Sequence, residues 1–262
     1  AFDVITYFCQ ASGNYTEEDI RVVRCIAEDT AFALVDYNGD LVQFFGSNPS
    51  GNPLTVILNC IVNCLRMRYV YYELQPQDIN TPFCKGVRLL TYGDDLVASV
   101  AEGIPWFNHT TVAEKFGEMG IVFTMADKES ESVPYITLDE ATFLKRRWVR
   151  NDELLCYFAP LEHESIEKML MVWTRSKQIP SEFQGMEIIK TALREYFWYG
   201  REVFDEKKSM LKRLVTQLDW GEWVEDSTFP TFDSLVQDFM KASRRSPSFK
   251  KYFSKKSGNL FG

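Results

Sequence analysis

The run Val87-Arg88-Leu89-Leu90-Thr91-Tyr92-Gly93-Asp94-Asp95-Leu96-Val97-Ala98-Ser99-Val100 limits the possible folds of this chain more than any other stretch. Two β-prone segments flank a Gly-Asp pair, which is the pattern of a hairpin with adjacent carboxylates at its tip. Gly93 supplies the backbone freedom of the turn. Two neighbouring acids repel and are costly to keep ionised together, so a divalent cation between them is the natural functional reading. Successive strand side chains face opposite ways, so the acids cannot serve equally; Asp94 is expected as the primary ligand and Asp95 as the auxiliary one. The same letters also describe a plain polar turn.

The neighbouring stretches weigh against the plain turn. Gly46 to Pro53 is a loop by composition, and it opens a long helix expected over 53–74 with Pro53 in an early helical position. Thr55 and Asn59 lie four apart on that helix, so they share a face and can reach one ligand beside the Ser50-Gly51 loop. Further on, Ile121-Val122-Phe123-Thr124 is expected as a strand leading into Met125-Ala126-Asp127-Lys128-Glu129-Ser130. A basic turn follows at Ala141-Thr142-Phe143-Leu144-Lys145-Arg146-Arg147-Trp148.

In this order, the four stretches resemble the RNA-dependent RNA polymerases of positive-strand RNA viruses, within the picorna-like group and close to marnavirus-type enzymes. The resemblance makes Tyr92-Gly93-Asp94-Asp95 the catalytic palm hairpin, with Asp94 and Asp95 holding Mg²⁺ or Mn²⁺. It implies that Ser50, Gly51, Thr55 and Asn59 recognise the ribose of the incoming nucleotide. A hydroxyl and an amide can each donate to and accept from a 2′-OH, so the chemistry agrees. Lys128 matches a lysine that protonates the leaving pyrophosphate, and an ammonium can neutralise developing charge there. Lys145 and Arg146 match a primer-gripping hairpin that contacts phosphate without reading sequence. Implied partners are an RNA template and primer, nucleoside triphosphates, and the upstream fingers and palm half of the same polyprotein. The implied location is a replication complex in the host cell cytoplasm.

Composition narrows the alternatives. With 262 residues and 45% hydrophobic content, the chain can bury a sizeable core. A net charge of −8 argues against a surface that binds nucleic acid everywhere. The six cysteines form no Cys-x-x-Cys pair and are expected to be reduced packing residues in a cytosolic setting. With two histidines, His109 and His163, a Ser-His-Asp or Cys-His hydrolase is a poor fit. No apolar run approaches the roughly 18 residues of a membrane span.

Elsewhere the pattern predicts helices over 2–10 and 17–30, a hairpin turning at Asn38-Gly39, and a helix over 112–119. A mostly helical remainder should run over 161–177, 181–204, 207–218 and 232–242. The expected fold class is α+β: an antiparallel palm sheet with flanking helices, followed by a helical thumb, as in a right-hand polymerase with its fingers largely missing. Expected domains are a partial palm over 1–158, a thumb over 159–242 and a basic tail over 243–262, which carries aromatic residues among its cations and no acid.

Two-metal phosphoryl transfer needs carboxylates from more than one element. Asp3 is tempting as that residue, because Phe-Asp ends such motifs in the family, and it is rejected, because its partner acid would lie before residue 1 and too little chain separates it from Thr16 for the strand and helix that should follow. The family's basic nucleotide-holding fingers motif is also missing. The sequence therefore reads as the second half of an RNA-directed RNA polymerase, inactive alone. Two alternatives remain: a non-catalytic RNA-binding or interaction fragment, and a reverse transcriptase. The Ser50, Thr55, Asn59 set argues against the latter.

Overall fold

The computed structural model describes residues 1–245 apart from Ser47, Pro49, Asp152, Glu153 and Leu155. Nearly all of the expected basic tail lies outside the described residues. The chain forms two compact units: Ala1–Thr137 with Ala141–Leu144, and Leu138–Glu140 with Lys145 onward. The division falls within the basic hairpin, between Leu144 and Lys145.

In the first unit, α1 (Phe2–Ser12) and α2 (Glu17–Ala31) stand where the periodicity puts them. Thr16 and Asp19 make a reciprocal capping box: the Asp19 N–H donates to Thr16 Oγ1 at 3.2 Å, and the Thr16 N–H donates to Asp19 Oδ2 at 2.8 Å. The hairpin β1 (Leu34–Tyr37) and β2 (Asp40–Gln43) turns at Asn38 and Gly39, both at positive φ. The next helix, α3 (Thr55–Leu74), starts two residues past Pro53. Asn52 delays it, its Oδ1 accepting from the Leu54 N–H at 2.8 Å in a local turn.

The short helix α4 (Phe83–Gly86) leads into β3 (Val87–Tyr92), which pairs with β4 (Asp95–Val100) from Val87↔Val100 to Tyr92↔Asp95. Val87, Leu89, Leu96, Ala98 and Val100 pack into a core built on Met67, Tyr71, Phe83, Ile104, Phe107, Val112 and Phe116. Tyr71 is fully buried, with Phe83 and Phe107 edge-on at 5.2 and 5.1 Å and its hydroxyl donating to the Thr81 carbonyl at 2.9 Å. Burial pushes that phenol's pKa above its ordinary value.

Helix α5 (His109–Glu118) begins three residues earlier than expected because Asn108 and Thr111 form a second capping box. The strand expected over Ile121–Thr124 is absent. The Ile121 N–H donates back to the Phe116 carbonyl at 2.9 Å, and Phe123 packs on Phe116 at 5.2 Å and stacks on His109 at 4.9 Å. The alternation is present, with Val122 turned outward at 88% exposure, but among the described residues the segment belongs to no ladder.

β5 (Thr142–Phe143) closes the first unit, and β6 (Arg146–Arg147) opens the main run of the second. The second unit continues with the hairpin β7 (Val149–Asn151) and β8 (Cys156–Phe158), then α6 (His163–Met171), α7 (Ser181–Phe197), α8 (Arg201–Gln217), a 3₁₀ turn at Gly221–Trp223, and α9 (Phe232–Arg245). Its core joins Met186, Ile189, Leu193, Phe197, Phe204, Leu211, Val215 and Phe232. The helix expected to continue to Lys177 stops at Met171, because Gln184 holds the next segment extended by accepting from the Ser176 N–H at 3.1 Å and donating to the Thr174 carbonyl at 2.8 Å. The helix expected over 181–204 breaks at Gly200, whose φ of 95° suits glycine and turns the chain into α8.

The fold is thus α+β, with helices and small antiparallel hairpins. One continuous sheet is not formed among the described residues: β1–β2, β3–β4 and β7–β8 are separate two-stranded pairs. Among the described residues no further strand pairs with β3–β4, and Leu90 and Tyr92, facing away from the core, are 56% and 54% exposed.

Candidate active site

The carboxylates stand where the hairpin pattern puts them. Gly93 and Asp94 form the two-residue loop, Gly93 having φ 63°, while Asp95 is the first residue of β4 and faces Tyr92 across the ladder. Both acids are exposed, whereas Gly93 between Tyr92 and Asp94 is buried. The loop is buried from one side by α3. Asn63 Nδ2 donates to the Gly93 carbonyl at 2.8 Å and to the Asp94 carbonyl at 3.1 Å. The Gly93 N–H donates to Cys60 Sγ at 3.2 Å, and Cys64 Sγ lies 3.9 Å from Thr91 Oγ1.

The same helix face carries the second constellation. Thr55, Asn59 and Asn63 lie at i, i+4 and i+8, so each polar group is displaced from the last by about 6 Å along the axis. Asn48, in the loop ahead of the helix, donates through Nδ2 to Asn59 Oδ1 at 2.8 Å and to the Thr55 carbonyl at 3.2 Å. Among the described residues its buried Oδ1 has no hydrogen-bond partner. Ser50 and Gly51 are exposed, and Gly51 takes a φ of 89° that glycine permits. A cavity of about 490 Å³ opens beside Asn48 and Asn59, and Asp3, Glu28, Thr30 and Leu58 also line it. Asp3 reaches this cavity from the first turn of α1, in helical rather than strand backbone.

Lys128 is held by a separate device. Asp127 accepts from the Ser130 hydroxyl at 2.7 Å and from the Glu129 N–H at 3.2 Å, which leaves Lys128 exposed on the corner of a turn. These hydrogen bonds, the hydroxyl's first, hold the Asp127 carboxyl below its usual range.

In the basic turn, Leu144 and Lys145 both take left-handed backbone, at φ 56° and 62°. The Lys145 side chain is 74% exposed, and its ammonium lies 3.8 Å from Glu162. Arg146 is engaged within the protein. Its Nη1 and Nη2 each donate to a Glu195 oxygen at 2.9 Å, and Nη1 also donates to the Ala159 carbonyl at 2.8 Å.

The structure therefore gathers Thr55, Asn59 and the Asp94 loop along one helix and leaves Lys128 and Lys145 on turns of their own. The sequence reading missed Asn63 and Asn48. For Asn63 the signal was available, since it continues the four-residue spacing of Thr55 and Asn59 by one turn.

For a cation the local donor set is small. Among the described residues no group of three or more His, Cys, Asp or Glu side chains could hold a metal ion. Mg²⁺, however, is commonly held by one or two carboxylates together with waters and substrate phosphates, and two exposed acids on a rigid loop fit that role.

The sequence profile described as "Viral RNA-dependent RNA polymerase" matches residues 1–217, and the chain belongs to that family. It is 36% identical over 208 residues to the replicase polyprotein of Drosophila C virus (strain EB), covering 77% of this chain and 12% of that polyprotein. Against the replicase polyprotein of Cricket paralysis virus the identity is 33% over 185 residues, covering 68% of this chain and 10% of that polyprotein. The solved Sicinivirus 3Dpol RNA dependent RNA polymerase superposes with a TM-score of 0.67 at 19% identity, over 85% of this chain and 43% of that one, and shares the fold. The chain thus spans about a tenth of the length of these polyproteins and under half of that polymerase.

Proposed function

We propose that this chain is the catalytic-hairpin and thumb portion of an RNA-directed RNA polymerase, cut from a longer viral polyprotein and working in the host cell cytoplasm. The observation that carries the reading is the Asp94 loop fixed to the same helix face that presents Thr55 and Asn59. The first unit is a partial palm, and the helices from α6 onward form a thumb over the product duplex.

The reaction is attack of an RNA 3′-hydroxyl on the α-phosphate of a nucleoside triphosphate. Bound Mg²⁺ or Mn²⁺ would supply charge neutralisation at the attacking and leaving oxygens. Asp94 would hold the ion, and Asp95 would assist from the first position of β4. Thr55, Asn59 and the Ser50-Gly51 loop orient the ribose through its hydroxyls, and the unpartnered Asn48 Oδ1 offers a further acceptor beside Asn59. Lys128, on its exposed turn, donates a proton to the departing pyrophosphate. Lys145 steadies the primer by a phosphate contact, while Arg146 keeps the turn in place through Glu195.

Among the described residues no group of three or more His, Cys, Asp or Glu side chains could hold a metal ion, and two-metal transfer draws carboxylates from more than one element, which favours synthesis in concert with upstream polymerase residues. Primer extension with ribo- and deoxynucleotides by the upstream-extended polymerase tests the reading. Ribonucleotide preference that weakens on Asn59→Ala supports it. Equal use of both sugars, or a deoxynucleotide preference, moves the chain to the reverse transcriptases. RNA binding without synthesis moves it to the non-catalytic modules.

A further inference from the structure

The two carbonyls that Asn63 engages belong to successive peptide groups. The Gly93 carbonyl lies in the plane that joins residue 93 to Asp94, and the Asp94 carbonyl in the plane that joins it to Asp95. A peptide group is rigid, so the backbone of Asp94 has two soft torsions, one on each side of its Cα. Fixing both flanking planes fixes both torsions, and with them the direction of the Cα–Cβ bond. In a two-residue loop these carbonyls lie outside the strand ladder, so no partner in the sheet fixes them.

We infer that Asn63 is a positioning residue that aims the Asp94 carboxylate by clamping the peptide groups on either side of it. The inference rests on the polymerase reading for its kinetic consequence, but not for its geometry. Three observations carry it. The Asn63 amide donates both its hydrogens to the loop, at 2.8 and 3.1 Å. The Gly93 N–H meets Cys60 on the same helix face at 3.2 Å, so the loop is held on its donor as well as its acceptors. That helix is anchored one to two turns further on by Met67, Val70 and Tyr71, all in the core, so the clamp stands on a buried base. The Asp94 carboxylate itself is exposed.

The clamp also gives α3 two tasks on one face. Asn59 is engaged by the loop residue Asn48, and Asn63, one turn later, is engaged by the Asp94 loop. A nucleotide oriented at Asn59 and an ion held at Asp94 are thereby referred to one rigid element, with no intervening loop to add slack.

Asn63→Asp is the diagnostic change, since it keeps the shape but replaces both donors by acceptors facing the two carbonyls. Asn80→Asp, on an exposed connecting segment, controls for the added charge. In this chain, hydrogen exchange at the Gly93 amide should accelerate at least tenfold in Asn63→Asp, with the Tyr71-centred core unchanged and Asn80→Asp like the parent. In the upstream-extended polymerase, kcat should fall about 10- to 100-fold and half-saturating Mg²⁺ should rise, while KM for nucleotide stays within about twofold, as expected of a misaimed rather than a missing group. Asn63→Gln, which retains the donors on a longer stem, should recover part of the loss.

Unchanged Gly93 exchange in Asn63→Asp overturns the clamp whatever the enzyme does. Accelerated exchange with unchanged kcat and Mg²⁺ dependence overturns the aiming role. A parent enzyme that makes no RNA sinks the polymerase reading, and the exchange experiment then still decides whether the clamp exists.

Discussion

Arg146 and Glu195 are joined by two parallel hydrogen bonds, Nη1 to Oε2 and Nη2 to Oε1, both 2.9 Å long. The bond from Nη1 to the Ala159 carbonyl adds a third tie, so one guanidinium links β6, the end of β8 and α7. Donation to Glu195 raises the Arg146 pKa further above its already high value. Arg146→Ala leaves a carboxylate that is 18% exposed without its partner, and the expected loss is about 1–3 kcal/mol. Arg146→Lys should restore less than half of this, because an ammonium cannot reproduce the planar fork. Every tryptophan except Trp106 lies in the second unit, so the urea midpoint followed by tryptophan fluorescence reads the effect. Midpoints within error of the parent for both variants would show the pair to be idle.

Gly185 and Gly117 make opposite predictions for the same substitution. A Cβ at Gly185 would meet the Trp220 ring at 2.4 and 2.6 Å, and an indole packed in a core cannot swing aside. Gly185→Ala should cost about 1–3 kcal/mol and shift the fluorescence of Trp220. At Gly117, inside α5, nothing lies within 4 Å, and Gly117→Ala should stabilise by about 0.5–1 kcal/mol through helix propensity. Denaturant midpoints of the two variants should move in opposite directions.

Asp127 gives a pH dependence of known sign. Its carboxyl is held below the usual range by the Ser130 hydroxyl and the Glu129 N–H, so the folded pKa lies below the unfolded one. The stabilisation of the Lys128 turn is then fully present above the ordinary Asp value of about 3.9 and is lost as pH falls through the lowered folded value. The Glu129 amide shift should stay flat from neutral pH down to about pH 4 and move only below it. A transition centred well above that range would contradict the hydrogen-bond assignment, and Asp127→Asn should abolish the transition.

Lys145 carries a salt-dependence prediction. Its side chain is 74% exposed on the basic turn, and a single phosphate contact contributes about 0.7–0.9 to the slope of log affinity against log salt. Lys145→Ala in the upstream-extended polymerase should weaken primer-template binding uniformly across sequences and lower that slope by roughly this amount. An unchanged slope would take Lys145 out of the interface.

Local chemistry made much of this fold legible. The Thr16-Asp19 box, the Asn38-Gly39 turn and the Gly93-Asp94 tip each encode their geometry within a few residues, and the structure holds all three where the sequence put them. Gly200 was legible as a residue that can break a helix, but the helix was expected to run through it to Phe204. Ile121–Thr124 has the period of a strand, yet period cannot say whether a partner strand is present, and Phe123 instead finds its partners in His109 and Phe116. In the candidate site, Asp94, Thr55 and Asn59 were visible from motif and spacing. Arg146's commitment to Glu195 was not, because it spans 49 residues of sequence and depends on how the helices dock. Asn63 fell between these cases, its helical spacing plain but its target 30 residues away.

The most direct measurement of the central claim is Mn²⁺-dependent ribonucleotide incorporation on a homopolymer template. It compares this chain, the same chain extended upstream through the polymerase, and that extended form with Asp94→Ala. The account predicts incorporation by the extended form alone, abolished by Asp94→Ala with the fold intact by circular dichroism. Synthesis that survives Asp94→Ala, or an extended parent that incorporates nothing, would contradict it, and synthesis by this chain alone would show that the site draws its remaining acid from within these residues.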